Sequence, residues 1–238
     1  MLEVDCKNLS FFDLNKKIRE TDDDVQIYGL LGERFIGAGL SDKKLFIHGT
    51  PGNALGAYLN GATIEVFGNA QDAVGDTMND GKIIVHGNIG DATCYAMRGG
   101  KMFVRGNAGY RAGIHMKEYK EKVPVLVIGG SVGSFLGEYQ AGGIIIVLGL
   151  ESDKIVGNFP CTGMHGGKMF LRSDCRNVVF PDQVTARTAT PEDLDEIRES
   201  IGEFCDHFKY DAKEVLSGPF TVIEPDSSNP YRQLYVQN

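Results

Sequence analysis

The chain has 238 residues, 42% hydrophobic and 24% charged, which supplies one large core or two small ones. Its 24 basic against 32 acidic residues give a net charge of −8, which argues against a nucleic-acid footprint because that needs a clustered basic face. Glycine is in excess: 31 of 238 residues, about 13% against the usual ~7%, with only eight prolines, so many backbone corners with positive φ are expected rather than linkers.

No run reaches the ~18 uninterrupted apolar residues of a membrane span, and Met1-Leu2-Glu3-Val4-Asp5 has no secretory-signal character. A cytoplasmic location without membrane contact follows as the expectation. Five cysteines (Cys6, Cys94, Cys161, Cys175 and Cys205) are odd in number and irregularly spaced, with no C-x-x-C. Reduced thiols are therefore expected, not a disulfide framework, an iron–sulfur cluster or a zinc site.

Three segments are read in chain order. Residues 1–24 form an N-terminal helical segment, in which Ser10 caps a helix running to Glu20. Residues 25–185 carry a repeat. Apolar runs end in the anchors Gly49, Gly68, Gly87, Gly106, Gly129, Gly149 and Ser173, spaced by 19, 19, 19, 23, 20 and 24 residues. About seven positions after each anchor lies a second small-residue column, Gly56, Gly75, Cys94, Gly113 and Gly137. A third (Gly61, Gly81, Gly100, Gly143 and Gly167) precedes the next run. A unit of ~19 residues is too short for a helical repeat or a propeller blade and fits one coil of a β-solenoid.

The fold class expected is thus all-β: a right-handed parallel β-helix of about seven coils, ~34 Å long at ~4.8 Å per coil, with flanking α-helices at both termini. The corner glycines would be Gly49, Gly68, Gly75, Gly87, Gly106, Gly113, Gly129, Gly137 and Gly149. Asn69, Asn88 and Asn107, each just after an anchor, and Ser131 nearby suit a stacked hydrogen-bonding ladder.

Positions two and four before each anchor, such as Ile47/Leu45, Val104/Met102 and Val127/Val125, are apolar in every coil and should fill the lumen. The column three before (Phe46, Glu65, Ile84, Phe103, Leu126, Ile146 and Phe170) should face outward, yet it is apolar in six of seven coils. The chain's own ends or a partner must cover it. Residues 186–238 supply one candidate. Thr190-Pro191-Glu192-Asp193 starts a helix whose stripe Leu194, Ile197, Ile201, Phe204 and Phe208 suits docking on the solenoid. A short second helix over 211–216 and an extended tail with Pro219, Pro225 and Pro230 follow.

Chemical motifs are few. Val127-Ile128-Gly129-Gly130-Ser131-Val132-Gly133 looks like a dinucleotide-binding turn but lacks the helix that such a turn opens. Gly163-Met164-His165-Gly166-Gly167-Lys168-Met169 lacks P-loop spacing. His48 and His86 share a column but sit two rungs apart, ~9.6 Å, too far to share a metal. Cys161, His165 and Cys175 fall near the last coil, where a buried thiol is the simpler reading of Cys161. Arg105, Arg111, His115 and Lys117 bunch in sequence, as a solvated edge or an anion or partner contact. No catalytic, cofactor-binding or metal-ligating residue emerges.

Four stretches carry a resemblance: Gly52–Leu59, Gly106–Gly113, Gly137–Gly149 with its Glu-Tyr-x-x-Gly-Gly element, and Gly157–Gly167 with Gly-Met-x-Gly-Gly. With the Pro219–Pro225 tail, they resemble the GXGXG domain, the C-terminal β-helix of the glutamate synthase large subunit, here standing alone. The resemblance implies a non-catalytic structural subunit that scaffolds a glutamine amidotransferase subunit and an FMN-binding synthase subunit. FMN, iron–sulfur and FAD/NAD(P)H cofactors would reside in those partner chains and none in this one; homo-oligomerisation is also compatible. The same repeat resembles the β-helical scaffold chain of formylmethanofuran dehydrogenase, another large redox complex. A free-standing groove enzyme is a third reading, but it needs an outward cluster of acidic or basic residues, and the column three before the anchors offers only Glu65.

Overall fold

The computed structural model describes residues 1–150, 152 and 154–229, so Pro230 lies outside the described residues. Nine strands pair in parallel and in sequence order: β1 (Leu2–Asp5), β2 (Val25–Leu31), β3 (Lys44–Thr50), β4 (Asn60–Val66), β5 (Asp80–Val85), β6 (Lys101–Val104), β7 (Val125–Ile128), β8 (Ala141–Val147) and β9 (Gly166–Leu171). This is a parallel β-solenoid of about seven coils. Two further strands, β10 (Val184–Thr188) and β11 (Thr221–Pro225), close its C-terminal edge. β11 pairs antiparallel with β9, and β10 antiparallel with β11. The N-terminal segment is more than a helix, because β1 adds a rung below β2 before the chain turns into α1 (Phe11–Glu20).

The strand side of the lumen is lined by apolar side chains. Val25, Ile27, Leu45, Ile47, Ile64, Val66, Ile83 and Val85 are completely buried, and the stack continues through Met102, Val104, Leu126, Ile128, Ile145, Val147, Met169 and Leu171. In β7 the parity differs from expectation by one residue: Leu126 and Ile128 point into the lumen, and Val125 and Val127 point out. The cause is the insertion 117–122, a small turn in which Tyr119 and Lys122 pair with each other. It shifts the corner, so that Gly130 rather than Gly129 hydrogen-bonds Gly106 and Ser131 receives the Asn107 side chain. Four consecutive apolar residues read equally well in either register.

Glycine serves two distinct purposes here. At the corner after the sheet, three alternate residues per coil take left-handed φ, for example Ala54 (61°), Gly56 (62°) and Tyr58 (57°). Their N–H groups point alternately to the coils before and after: Gly56 donates to Ile36, whereas Ala54 donates to Asp72 and Tyr58 to Asp76. Gly75, Gly113 and Gly137 repeat Gly56, with φ of 69°, 70° and 63°. Cys94 (59°) and Cys161 (61°) occupy the same column with side chains turned inward against Met102 and Met169. Gly49 and Gly149 also have positive φ.

Gly68, Gly87, Gly106 and Gly129 do not, so positive φ is not why they are glycines. A Cβ on Gly87 would collide with Asn69 Oδ1, and one on Gly106 with Asn88 Oδ1. Those amides reach across to the N–H of Asn88 and Asn107 at 2.8 Å, so each rung of the asparagine ladder needs a missing side chain next to it. A Cβ on Gly68 would press on Gly49 O at 3.1 Å, and one on Gly129 would collide with the Arg105 carbonyl oxygen and with Phe204 Cζ, the latter at 2.7 Å.

Helix α1 plugs the first coil, with Leu14 and Ile18 fully buried. The buried Lys43 ammonium donates to the Ile18 and Thr21 carbonyls at its C-terminus, where the helix dipole favours a cation. The long helix α2 (Pro191–Phe208) starts from a Thr190/Asp193 capping box with proline at its N-terminus. It lies over the outward column: Ile84, Phe103, Val127, Ile146 and Phe170 form one buried cluster with Ile197, Ile201, Phe204 and Phe208. The short α3 (Ala212–Leu216), capped by Asp211, adds Val215 to that cluster. On the flank, Lys82 pairs with Glu203, Lys101 with Glu199 and Glu203, and Lys168 with Glu196. Part-exposed pairs contribute about 0–1 kcal/mol each, against ~1.5–3 kcal/mol for each buried apolar side chain. Burial therefore holds the helix down, and the pairs set its orientation.

Gly75→Val is expected to cost ~2–6 kcal/mol, from left-handed strain on a β-branched residue together with overpacking. Gly75→Cys should cost markedly less, since cysteine already serves in this column and the clashing atom is the flexible Met102 methyl. Thermal unfolding of the two variants checks the difference, and equal melting would contradict the assignment. The docking of α2 should also weaken in acid. Burial, then the Lys82 charge, holds the His207 imidazole below its ordinary pKa, so this stability is full above about pH 6.5 and falls as the pH drops. The Arg187 hydrogen bond keeps the Asp193 carboxyl well below the usual carboxylate range, which delays its own loss to stronger acid. A melting temperature that falls between pH 8 and 5, and falls less in His207→Gln, is the expected result.

Candidate functional site

The histidines of the sheet face belong to an aromatic stack. Tyr28, His48, Phe67 and His86, one from each of four successive coils, lie face to face with ring centroids 4.8, 4.7 and 5.1 Å apart. The spacing matches the rise per coil, so equivalent side chains stack without adjustment. Gln26 hydrogen-bonds His48 Nε2 at 2.9 Å, and Glu65 pairs with His86 Nε2 at 2.8 Å. The stack ends edge-on against Phe208, where α2 begins to cover the sheet. Tyr28 is 38% and Phe67 44% exposed. Phe46, beside them, is half-buried.

The basic cluster of the sequence is divided by the fold. Arg105 lies on the sheet face, one rung beyond His86 in the same column. Arg111 and His115 stand at the glycine-rich corner, where Arg111 covers the Phe135 ring at 4.9 Å and pairs with Glu138 at 3.1 Å. His115 stacks on Tyr139 at 5.3 Å and meets Tyr95 edge-on. These contacts satisfy Arg111 and His115 within the repeat. Sequence reasoning missed both aromatic columns, although the ~19-residue spacing placed their members in register.

The thiols are unreactive by position. Burial pushes Cys161 up to about 12, and Cys6 and Cys205 up to about 11; Cys94 and Cys175 are raised by the same cause. A protonated, desolvated thiol is a poor nucleophile. His165 turns its Nδ1 to the Gly163 carbonyl at 2.9 Å, a local bond at the corner. Among the described residues, no three His, Cys, Asp or Glu side chains are grouped to hold a metal ion. The turn at Gly129–Gly133 is a coil corner followed by the bridge at Val132, not the start of a helix. No described helix is long and apolar enough to cross a membrane.

What the arrangement offers is surface: a rigid rod with one sheet face half covered by its own helix and half open. The solved structure of the formyltransferase/hydrolase complex from Methylorubrum extorquens, in complex with methylofuran, contains a chain of similar fold. It superposes with a TM-score of 0.66 at 19% identity, over 92% of this chain and 89% of that one. The uncharacterized protein MJ1350 of Methanocaldococcus jannaschii is 44% identical over 98% of this chain and 95% of its own length. The GXGXG motif family model matches residues 9–224, which take in the first helix, the coils from β2 onward and all but the last residue of β11. The chain belongs to the GXGXG family.

Proposed function

We propose that this protein is a non-catalytic structural subunit of a glutamate synthase assembly, in which glutamine and 2-oxoglutarate yield glutamate. It would scaffold separate glutamine amidotransferase and FMN-binding synthase chains that carry the FMN, iron–sulfur and FAD/NAD(P)H cofactors. One observation carries the scaffold reading: His48, His86, His115 and Arg111 contact neighbouring coils and the cysteines are buried, while half of one sheet face keeps the Tyr28 and Phe67 rings in solvent. The glutamate synthase assignment rests on the Glu138-Tyr139-x-x-Gly142-Gly143 and Gly163-Met164-x-Gly166-Gly167 elements and on the tail that becomes β11.

A second reading has its own support. The formyltransferase/hydrolase complex contains a chain of this fold, which favours a β-helical scaffold in a formyl-processing assembly such as formylmethanofuran dehydrogenase. Reconstitution separates the two. Purified amidotransferase and synthase chains, supplied with glutamine, 2-oxoglutarate and a two-electron donor, should reductively aminate 2-oxoglutarate to glutamate at least tenfold faster when this chain is added. His165→Ala and Cys161→Ala variants should support that rate nearly as well as the unaltered chain. No stimulation, together with co-purification of formyl-transferring chains, would replace the first reading by the second.

A further inference from the structure

The open half of the sheet face continues the surface on which α2 sits. Four lysines belong to one strand column running Lys44, Thr63, Lys82, Lys101, Val125, Ile144 and Lys168. Three of them meet acids of α2, namely Lys82, Lys101 and Lys168. Lys44 lies beyond the helix, and its ammonium has no ion pair among the described residues; the nearby Asp24 carboxylate accepts from its backbone N–H instead. The aromatic column also runs unbroken from Phe208, through His86, to the exposed Phe67 and Tyr28. The open rungs β2, β3 and β4 span ~14 Å, room for two to three helical turns in line with α2. Glu65 is paired with His86 and Gln26 with His48, and Asp24 is turned onto the Lys44 backbone, so Lys44 is the lysine of this column whose ammonium has no ion pair among the described residues.

We propose that this open half-face is the docking site for an amphipathic helix of a partner chain, which lays its apolar side on the Tyr28–Phe67 ladder and an acidic residue against Lys44. The occupant repeats what α2 does three coils further on: apolar residues over the outward column, acids along the lysine column. The inference rests on the scaffold reading above and names the face that reading requires.

The test measures binding of the full chain to the purified amidotransferase and synthase chains by sedimentation velocity. Phe67→Glu should weaken the complex at least tenfold and Lys44→Glu several-fold. Tyr58→Glu, a 59%-exposed ring at the glycine-rich corner, should leave it unchanged. Lys44 and Tyr58 are exposed, so their variants should melt with the unaltered chain; Phe67→Glu gives up two ring contacts, and an unchanged circular dichroism spectrum rules out misfolding there. Unchanged binding by Phe67→Glu and Lys44→Glu would overturn the proposal, and so would self-association of the chain abolished by Phe67→Glu, which would assign the face to a second copy. If the unaltered chain binds neither partner, the scaffold reading itself fails and the docking site falls with it.

Discussion

Each coil must approach the next at the ~4.8 Å spacing of a β-ladder, on its corners as well as on its strands. Everything distinctive in the chain follows from meeting that spacing where no strand runs. On the strand side, ordinary parallel pairing suffices. At the glycine-rich corner the backbone alternates between right- and left-handed residues, so that successive N–H groups reach the neighbouring coils on either side. At the Gly-Asn corner the asparagine amide bridges the gap, and the adjoining glycine gives it room. Close approach, and not flexibility, accounts for much of the glycine content.

The same spacing organises the surface. Equivalent positions recur at ring-stacking distance, so a column holding Tyr, His and Phe becomes a continuous stack without further design. Outward columns become ridges in which one residue type predominates. One is apolar and is covered by α2; another is cationic and meets the acids of that helix. The ends are handled differently. A helix with a buried lysine at its C-terminus plugs one, and a pair of antiparallel strands closes the other.

Much of this was legible in the sequence because a repeat states its own alignment. The coil length, most of the lumen columns, the asparagine ladder, the caps of α1 and α2 and the need to cover the column from Ile84 to Phe170 follow from spacing alone. The misreadings share a cause. Val125-Leu126-Val127-Ile128 is apolar at every position, so parity cannot choose its register, and the Gly129-Gly130 pair offers two anchors. Gly68, Gly87 and Gly106 look like positive-φ corners because a sequence shows that a side chain is missing but not which neighbour fills its place. The aromatic stack is hidden for a related reason. Tyr28, His48, Phe67 and His86 look chemically mixed in a row and become one surface only when stacked.

Gly129 occupies the column that holds Arg105 and His86 one and two rungs earlier, and its absent side chain is the seat of Phe204. A slip of β7 by one residue would leave its lumen apolar but move Ile128 under that ring. The C-terminal helix therefore fits only a correctly threaded stack. Because it follows every coil in chain order, a slip in β7 would be met by a helix whose Phe204 ring no longer seats, and the column from Ile84 to Phe170 would lose that cover.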